Sequence, residues 1–235
     1  MLTLCLDTTA KTASVALCED GRLLCEFSVN DTLTHSENLI YMIDAAFKCC
    51  GKAPKELERA AICAGPGSFT GVRIGSAALK GLCFGKNIPI AAVSTLEALA
   101  YNVNSGDTVI CSAMDARREQ TYFAVFSLSG GVYERQSEDA AASLDEACEK
   151  VREICLKIGK NQVIFVGDGA HLCYNRFIGE ENFEVKAFLA DERSRYQSAA
   201  SLAAAAERYF EEGKTVSDLT LDCVYLRKPQ ADMGK

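Results

Sequence analysis

Residues 2–6 form a short apolar run that stops at Asp7, a polar segment follows at 8–11, and apolar positions alternate through 13–17 before a Glu19-Asp20-Gly21 turn. Alternating runs bounded by Gly and Asp predict strands joined by tight turns. With a further strand near 23–29, the segment reads as a three-stranded meander. The same pattern returns at 109–114, ends at Asp115, and continues through polar 117–120, a strand at 122–128, a Gly130-Gly131 turn and 132–135. Asp7 and Asp115 stand 108 positions apart. A helical stretch follows each meander, at 36–50 and 144–158, and then an apolar strand that runs into glycines. Those strands are 60–64 before Gly65-Pro66-Gly67 and 163–166 before Gly167-Asp168-Gly169. A weak internal duplication with a period somewhat over 100 residues accounts for the recurrence.

A repeated strand-strand-strand-helix-strand-helix unit, with Asp closing the first strand of each copy, is the layout of the actin, Hsp70 and sugar-kinase class. It predicts an α/β chain with a duplicated actin-like (ASKHA, ribonuclease-H-like) two-lobed fold. The lobes are expected at 1–103 and 104–235, with a helix at 195–210 free to pack on either. In that class the turn after the first strand faces a cleft holding nucleotide phosphates and magnesium. Hydroxyls and amides of a tight turn solvate phosphate, and a carboxylate holds magnesium through water. Asp7, Thr8 and Thr9 suit that role; equally, Asp7 could simply cap a turn, and the sequence leaves both readings open.

The segment 64–71, Ala-Gly-Pro-Gly-Ser-Phe-Thr-Gly, leaves a strand and enters a helix at 71–84. Gly65, Gly67, Ser68 and Thr70 therefore join the candidate anion site, since free amides at a helix start suit a negative charge. Val72 and Arg73 follow Gly71 where a P-loop needs Lys and Ser or Thr, which excludes that class of nucleotide loop. Gly71, Gly75, Gly81 and Gly85 would each cost about 1 kcal/mol against Ala in a helix interior, so a compensating contact is expected. Gly71 with Gly75, and Ala77 with Gly81 and Gly85, form two small-residue strips that permit close approach of another helix. That helix could belong to the same chain or to a partner. In the preceding helix, Thr34 and Glu37 have capping-box spacing, which sets His35 in the first turn. Its apolar residues Leu39, Ile40, Met42, Ile43, Ala46, Phe47 and Cys50 span more than one core-facing stripe and leave a sticky face. The candidate partner interface is His35, Leu39, Met42 and Ile43 with Arg73, Gly75, Ala77 and Lys80, a solvated face being the plain alternative for Arg73 and Lys80.

Composition narrows the function. A 49% hydrophobic chain of 235 residues can build a full core and is not disordered. Its twelve cysteines sit singly at apolar positions such as Cys5, Cys63, Cys111 and Cys223, with Cys49 and Cys50 adjacent and no CxxC. Without a signal peptide, this predicts buried reduced thiols in a cytoplasmic protein. Two histidines, neither near a cysteine pair, argue against zinc. No apolar run approaches the ~20 residues of a membrane span. A net charge of −7 opposes a large phosphate-binding surface, so any RNA role is expected to be indirect. No Ser-His-Asp arrangement is legible, although Ser68 and Ser94 lie in plausible loops.

The strings LCLDTTAKTASVAL, THSENL, AICAGPGSFTGVRIGSAALKGL and IPIAAVSTLEALA, with MDARREQTYFAVF and VYLRKPQAD later, resemble the TsaB family. Its members are bacterial partners of TsaD, the enzyme that makes threonylcarbamoyladenosine in tRNA. The resemblance implies a non-catalytic subunit that docks on TsaD through its two N-terminal helices while TsaE assists, with tRNA touched only indirectly. It implies no required cofactor, with weak ATP and magnesium binding as a residual option. TsaD-type catalytic chains carry a metal-binding HxxxH after a Pro-containing strand. Here VSTLEAL, 93–99, places Thr95 and Leu99 at those positions, and a hydroxyl and an alkyl group cannot replace two imidazoles. No catalytic or metal-ligating residue is therefore assigned. Two alternatives stay open: an actin-like ATPase or metalloprotease-like enzyme, and a self-associating homodimer formed by the same sticky helices.

Overall fold

The N-terminal meander forms as β1 (Leu2–Asp7), β2 (Thr12–Glu19) and β3 (Arg22–Asn30), followed by α1 (His35–Cys49), β4 (Arg59–Cys63), α2 (Phe69–Cys83), β5 (Ile90–Val93) and α3 (Thr95–Ala100). The second copy runs β6 (Thr108–Asp115), β7 (Gln120–Ser129), β8 (Val132–Arg135), β9 (Ala140–Ser143), α4 (Leu144–Lys157), β10 (Gln162–Val166), α5 (Ala170–Ile178) and β11 (Lys186–Leu189). The short α6 (Glu192–Arg195) and α7 (Ala199–Glu211) complete the chain. These elements come from a computed structural model that describes residues 1–31, 35–104, 106–179 and 185–227. The Thr34 half of the expected capping box lies outside the described residues.

The duplication is explicit in the sheets. The first has the order β3-β2-β1-β4-β5 and the second β11-β10-β6-β7-β8, with β9 added beside β7. Replacing β1 by β6, β2 by β7, β3 by β8, β4 by β10 and β5 by β11 turns one order into the other. Asp7 and Asp115 end the corresponding first strands. This is the duplicated actin-like α/β fold. Two compact units contain the sheets, one from Met1–Ala98 with Gln197–Tyr225, the other from Leu99–Tyr196 with the described residues after Tyr225.

The expected second-lobe range 104–235 is thus interrupted, because α7 returns to the first sheet. The physical reason lies in specific anchors. Arg59 on β4 makes paired bonds to Glu207 at 3.3 and 3.1 Å, and its guanidinium sits 4.4 Å from the centre of the Phe210 ring. At the start of α7, the Glu26 carboxylate on β3 accepts from the Ala200 amide at 3.0 Å and from Ser198 Oγ at 2.8 Å. A carboxylate at a helix N-terminus also opposes the helix dipole. On the other face of the sheet, Leu2, Leu4 and Leu6 of β1 pack with Leu39, Ile43, Phe47 and Leu79 of α1 and α2. Helices on both faces explain why β1 and β2 are buried at nearly every position, polar Ser14 included. Ser14 Oγ accepts from the Ala199 amide at 2.9 Å. In the second unit, Val109, Cys111, Ala113, Phe123 and Val125 of the central strands pack with Val151 of α4 and Cys173 and Phe177 of α5.

Candidate functional site

The turn after β1 is organised by Asp7. Its buried carboxylate oxygen Oδ1 accepts from the Thr9 amide at 2.9 Å and from Thr9 Oγ1 at 2.6 Å. Burial raises the Asp7 carboxyl above its ordinary range, opposed by the Thr9 bonds, the Cys63 thiol and the His35 charge. The turn is also fastened to the Gly-rich loop. Thr8 Oγ1 donates to the Gly71 carbonyl at 2.7 Å, and the Ser68 amide donates to the Thr9 carbonyl at 2.6 Å. His35 Nε2 lies 2.6 Å from the Ala10 carbonyl, so the first residue of α1 closes the far side of the turn.

The loop that leaves β4 is equally occupied. The Gly65–Pro66 peptide is cis and Gly65 has φ +118°, a region that disfavours any side chain. The Val224 amide donates to the Ala64 carbonyl at 2.7 Å, and the Val224 carbonyl covers Gly65 so closely that a side chain there would collide with it. A side chain at Gly67 would collide with the Thr9 carbonyl. Ser68 caps α2, its Oγ accepting from the Gly71 amide at 3.2 Å, and Thr70 is exposed in the first turn. The structure therefore brings Asp7, Thr8, Thr9, Gly65, Gly67 and Ser68 together, but it bonds or packs them against one another and the C-terminal segment. The hydroxyls of Thr8, Thr9 and Ser68 are engaged within the unit.

The helix residues expected at a partner interface separate into two sets. Leu39, Met42 and Ile43 are buried in the unit's own core, because the helix that contains them packs on β2 and β3. Gly75 is also buried: a side chain there would strike Thr8 Oγ1, and one at Gly71 would strike the Thr8 carbonyl. The Gly71–Gly75 strip is thus filled by the β1 turn instead of a partner helix. Gly85 stands beyond the end of α2 with φ +68°, so it is not a helix-interior residue. Outward-facing positions are Ile40 (57% exposed) and Tyr41 (76% exposed) on α1, with Arg73, Ala77 and Gly81 on α2 and Phe84 at its end; Lys80 is half-exposed and His35 half-buried. The space beside Gly81 is open. The sequence signal for Ile40 was the width of the apolar stripe, which did not single out the outer side, and Tyr41 lay outside that stripe. Tyr225 was also missed. Its ring packs 4.8 Å from Phe69, and its hydroxyl accepts from Arg73 Nε at 3.1 Å.

The stretch 93–99 has no metal chemistry to offer. Thr95 Oγ1 is buried, Leu99 is apolar and buried, and Ser94 Oγ caps α3 by accepting from the Leu96 and Glu97 amides at 3.2 and 3.3 Å. Glu97 accepts from Arg208 Nη2 at 2.7 Å and from the Tyr209 hydroxyl at 3.0 Å. These residues do not fit the metal that an HxxxH pair would hold. His171 is exposed on α5, in the other unit from His35. Among the described residues no group of three or more His, Cys, Asp or Glu side chains could hold a metal ion. Nor is any described helix long and apolar enough to cross a membrane.

Comparison with known proteins places this geometry in a family. The sequence model of the family described as "TsaD: tRNA N6-adenosine threonylcarbamoyltransferase" matches residues 30–234. The tRNA threonylcarbamoyladenosine biosynthesis protein TsaB of Bacillus subtilis is 33% identical over 153 residues, covering 65% of this chain and 67% of that protein. TsaB of Escherichia coli is 29% identical over 230 residues, covering 97% and 95%. Among solved structures, YeaZ from Pseudomonas aeruginosa superposes with a TM-score of 0.76 at 25% identity, covering 96% of this chain and 99% of that one. Matched through the Gly-rich loop, both sheets and nearly its whole length, the chain belongs to the TsaB family within the broader TsaD group.

Proposed function

We propose that this chain is a non-catalytic subunit in the biosynthesis of threonylcarbamoyladenosine in tRNA, acting in the cytoplasm by docking on TsaD with TsaE assisting. Its relatives in Bacillus subtilis and Escherichia coli are named for that pathway. The observation that carries the docking reading is the pair Ile40 and Tyr41. They are two large side chains held outward on α1, which packs against α2, where the small residues Ala77 and Gly81 are also exposed. Exposed apolar side chains next to small residues allow a partner helix to approach closely and bury area. Thr95 and Leu99 at the HxxxH positions support a supporting role instead of a catalytic one. A nucleotide role has less support, because the Thr8 and Thr9 hydroxyls already have partners. The same face serves a homodimer when TsaD is absent, and the net charge of −7 leaves tRNA contact to the partner.

Native mass measurement of the chain with and without purified TsaD tests the reading. The wild type should form a mixed complex at the expense of any homodimer. An Ile40→Asp, Tyr41→Asp variant, checked for an unchanged melting curve, should bind TsaD at least ~10-fold more weakly, as expected when central anchors are lost. Undiminished binding by that variant, or persistent homodimer with no mixed species, would overturn it.

A further inference from the structure

Strand β3 and the C-terminal end of α1 bring two thiols into contact. Cys50 Sγ lies 3.3 Å from Cys25 Sγ, and Cys25 Sγ also donates to the Ala46 carbonyl at 3.7 Å. Cys25 is thereby held against the last turns of α1, where the chain turns back through Cys50 and Gly51. Cys5 and Cys18 also share a thiol–thiol hydrogen bond, but both are buried. Cys5, Cys18, Cys63, Cys83, Cys111, Cys148, Cys155 and Cys173 are buried, Cys223 faces Ser76 Oγ at 3.5 Å, and Cys49 is exposed. Cys25 and Cys50 are both half-buried, so this pair combines contact with access from solvent. It also departs from the expectation that the cysteines are uniformly buried.

We propose that Cys25 and Cys50 form a redox-active thiol pair that closes to a disulfide, with a low-molecular-weight disulfide of the glutathione type as the oxidant. The inference rests on the thiol geometry and does not depend on docking to TsaD. Cys50, at the open turn, reacts first: its thiol loses a proton to solvent, and its sulfur attacks one sulfur of the oxidant. The oxidant's S–S bond breaks, and one small thiolate departs. Burial, followed by the Cys50 thiol, pushes the Cys25 thiol up to about 12, which keeps it protonated until that stage. Cys25 then passes its proton to a departing thiolate while its sulfur attacks Cys50 Sγ, expelling the second small thiol. Two protein thiols are oxidised by two electrons, and one small disulfide is reduced to two thiols. The sulfurs need to close only from 3.3 Å to about 2.0 Å. The new bond fastens β3, at the end of its sheet order, to the helix that covers it.

The full-length chain, incubated with glutathione disulfide, alkylated and digested, provides the test by mass spectrometry. The wild type should lose the mass of two hydrogens and yield a peptide joined through Cys25 and Cys50. Its unfolding midpoint should rise and return on reduction, as expected for a cross-link that restricts the unfolded chain. Cys49→Ser should keep the cross-link and Cys50→Ser should lose it, each first shown to be folded by its melting curve. Absence of an internal disulfide in the wild type, glutathione adducts that never resolve, or a Cys25 cross-link surviving in Cys50→Ser overturns the proposal.

Discussion

Thr8 Oγ1, which donates to the Gly71 carbonyl at 2.7 Å, occupies the space a side chain on Gly75 would need. Replacing a helical Gly by Ala alone stabilises by about 1 kcal/mol. Gly75→Ala should nevertheless destabilise by about 1–2 kcal/mol, because the methyl displaces Thr8 and breaks its bond. In a Thr8→Ala background the hydroxyl is gone, and the next contact for a new Cβ on Gly75 is Ile62 Cδ1 at an ordinary 3.5 Å. There the same substitution should become stabilising. Urea denaturation of the four proteins reads that reversal of sign; a Gly75→Ala chain as stable as the wild type in both backgrounds would show that the strip is not filled by the β1 turn.

Leu39 and Tyr41 stand two residues apart on α1 and face opposite ways, at 1% and 76% exposure. Leu39→Ala opens a cavity in the core of the first unit and should cost about 2–5 kcal/mol. Tyr41→Ala should stay within about 0.5 kcal/mol of the wild type. Thermal or urea unfolding distinguishes the two. Comparable losses at both positions would mean that Tyr41 is packed within the folded chain and is not available to a partner.

The contrast between Leu39 and Tyr41 also marks where sequence reading stops. Strand and helix positions were legible because apolar alternation ends at turn residues in both copies, so that β1 and β6 stop at Asp7 and Asp115 as the pattern requires. How far the core-facing side of α1 extends was not legible, since Ile40 continues the apolar arc of Leu39, Met42 and Ile43, about 160° wide at ~100° per residue, and periodicity cannot say which edge of it stays in solvent. Helix α7 posed a related difficulty. Its alanine-rich face announces burial, but the choice of sheet is made by Arg59 with Glu207 and by Glu26 at the helix start, pairs separated by 148 and 174 residues. The candidate anion site posed a different difficulty. Residue types suited to phosphate are the same types that satisfy a tight turn, and only coordinates reveal that Thr8 and Thr9 bond inward.

Glu97 fastens α3 to α7 through Arg208 and Tyr209. Its side chain is 5% exposed whereas that of Arg208 is 45% exposed, so solvent already screens one partner. Glu97→Ala should cost about 1–3 kcal/mol, chiefly from lost charged hydrogen bonds. Tyr209→Phe should cost less, about 1 kcal/mol, and add little in the Glu97→Ala background, because the two share one interaction. Additive losses in that double-mutant cycle would place the Tyr209 contribution elsewhere.

Asp7 sets a pH dependence whose sign follows from its burial. The folded-state value is raised, chiefly by loss of hydration, despite the Thr9 bonds. Across the window from the ordinary Asp value, about 3.9, up to the raised folded value, the native state therefore holds a proton that the unfolded chain releases. Asp7's contribution is fully present below that window and is lost as pH rises through it. Asp7→Asn keeps an oxygen to accept from the Thr9 amide and hydroxyl, but it cannot titrate. Its added amide group shifts stability by an amount that does not vary with pH. Relative to the wild type, Asp7→Asn should gain stability steadily as pH rises through the window and then level off. Urea denaturation at steps from about pH 4 to about pH 7 measures that difference. Parallel curves, or an asparagine variant that loses ground as pH rises, would show that the carboxylate is at least as well stabilised in the fold as in water.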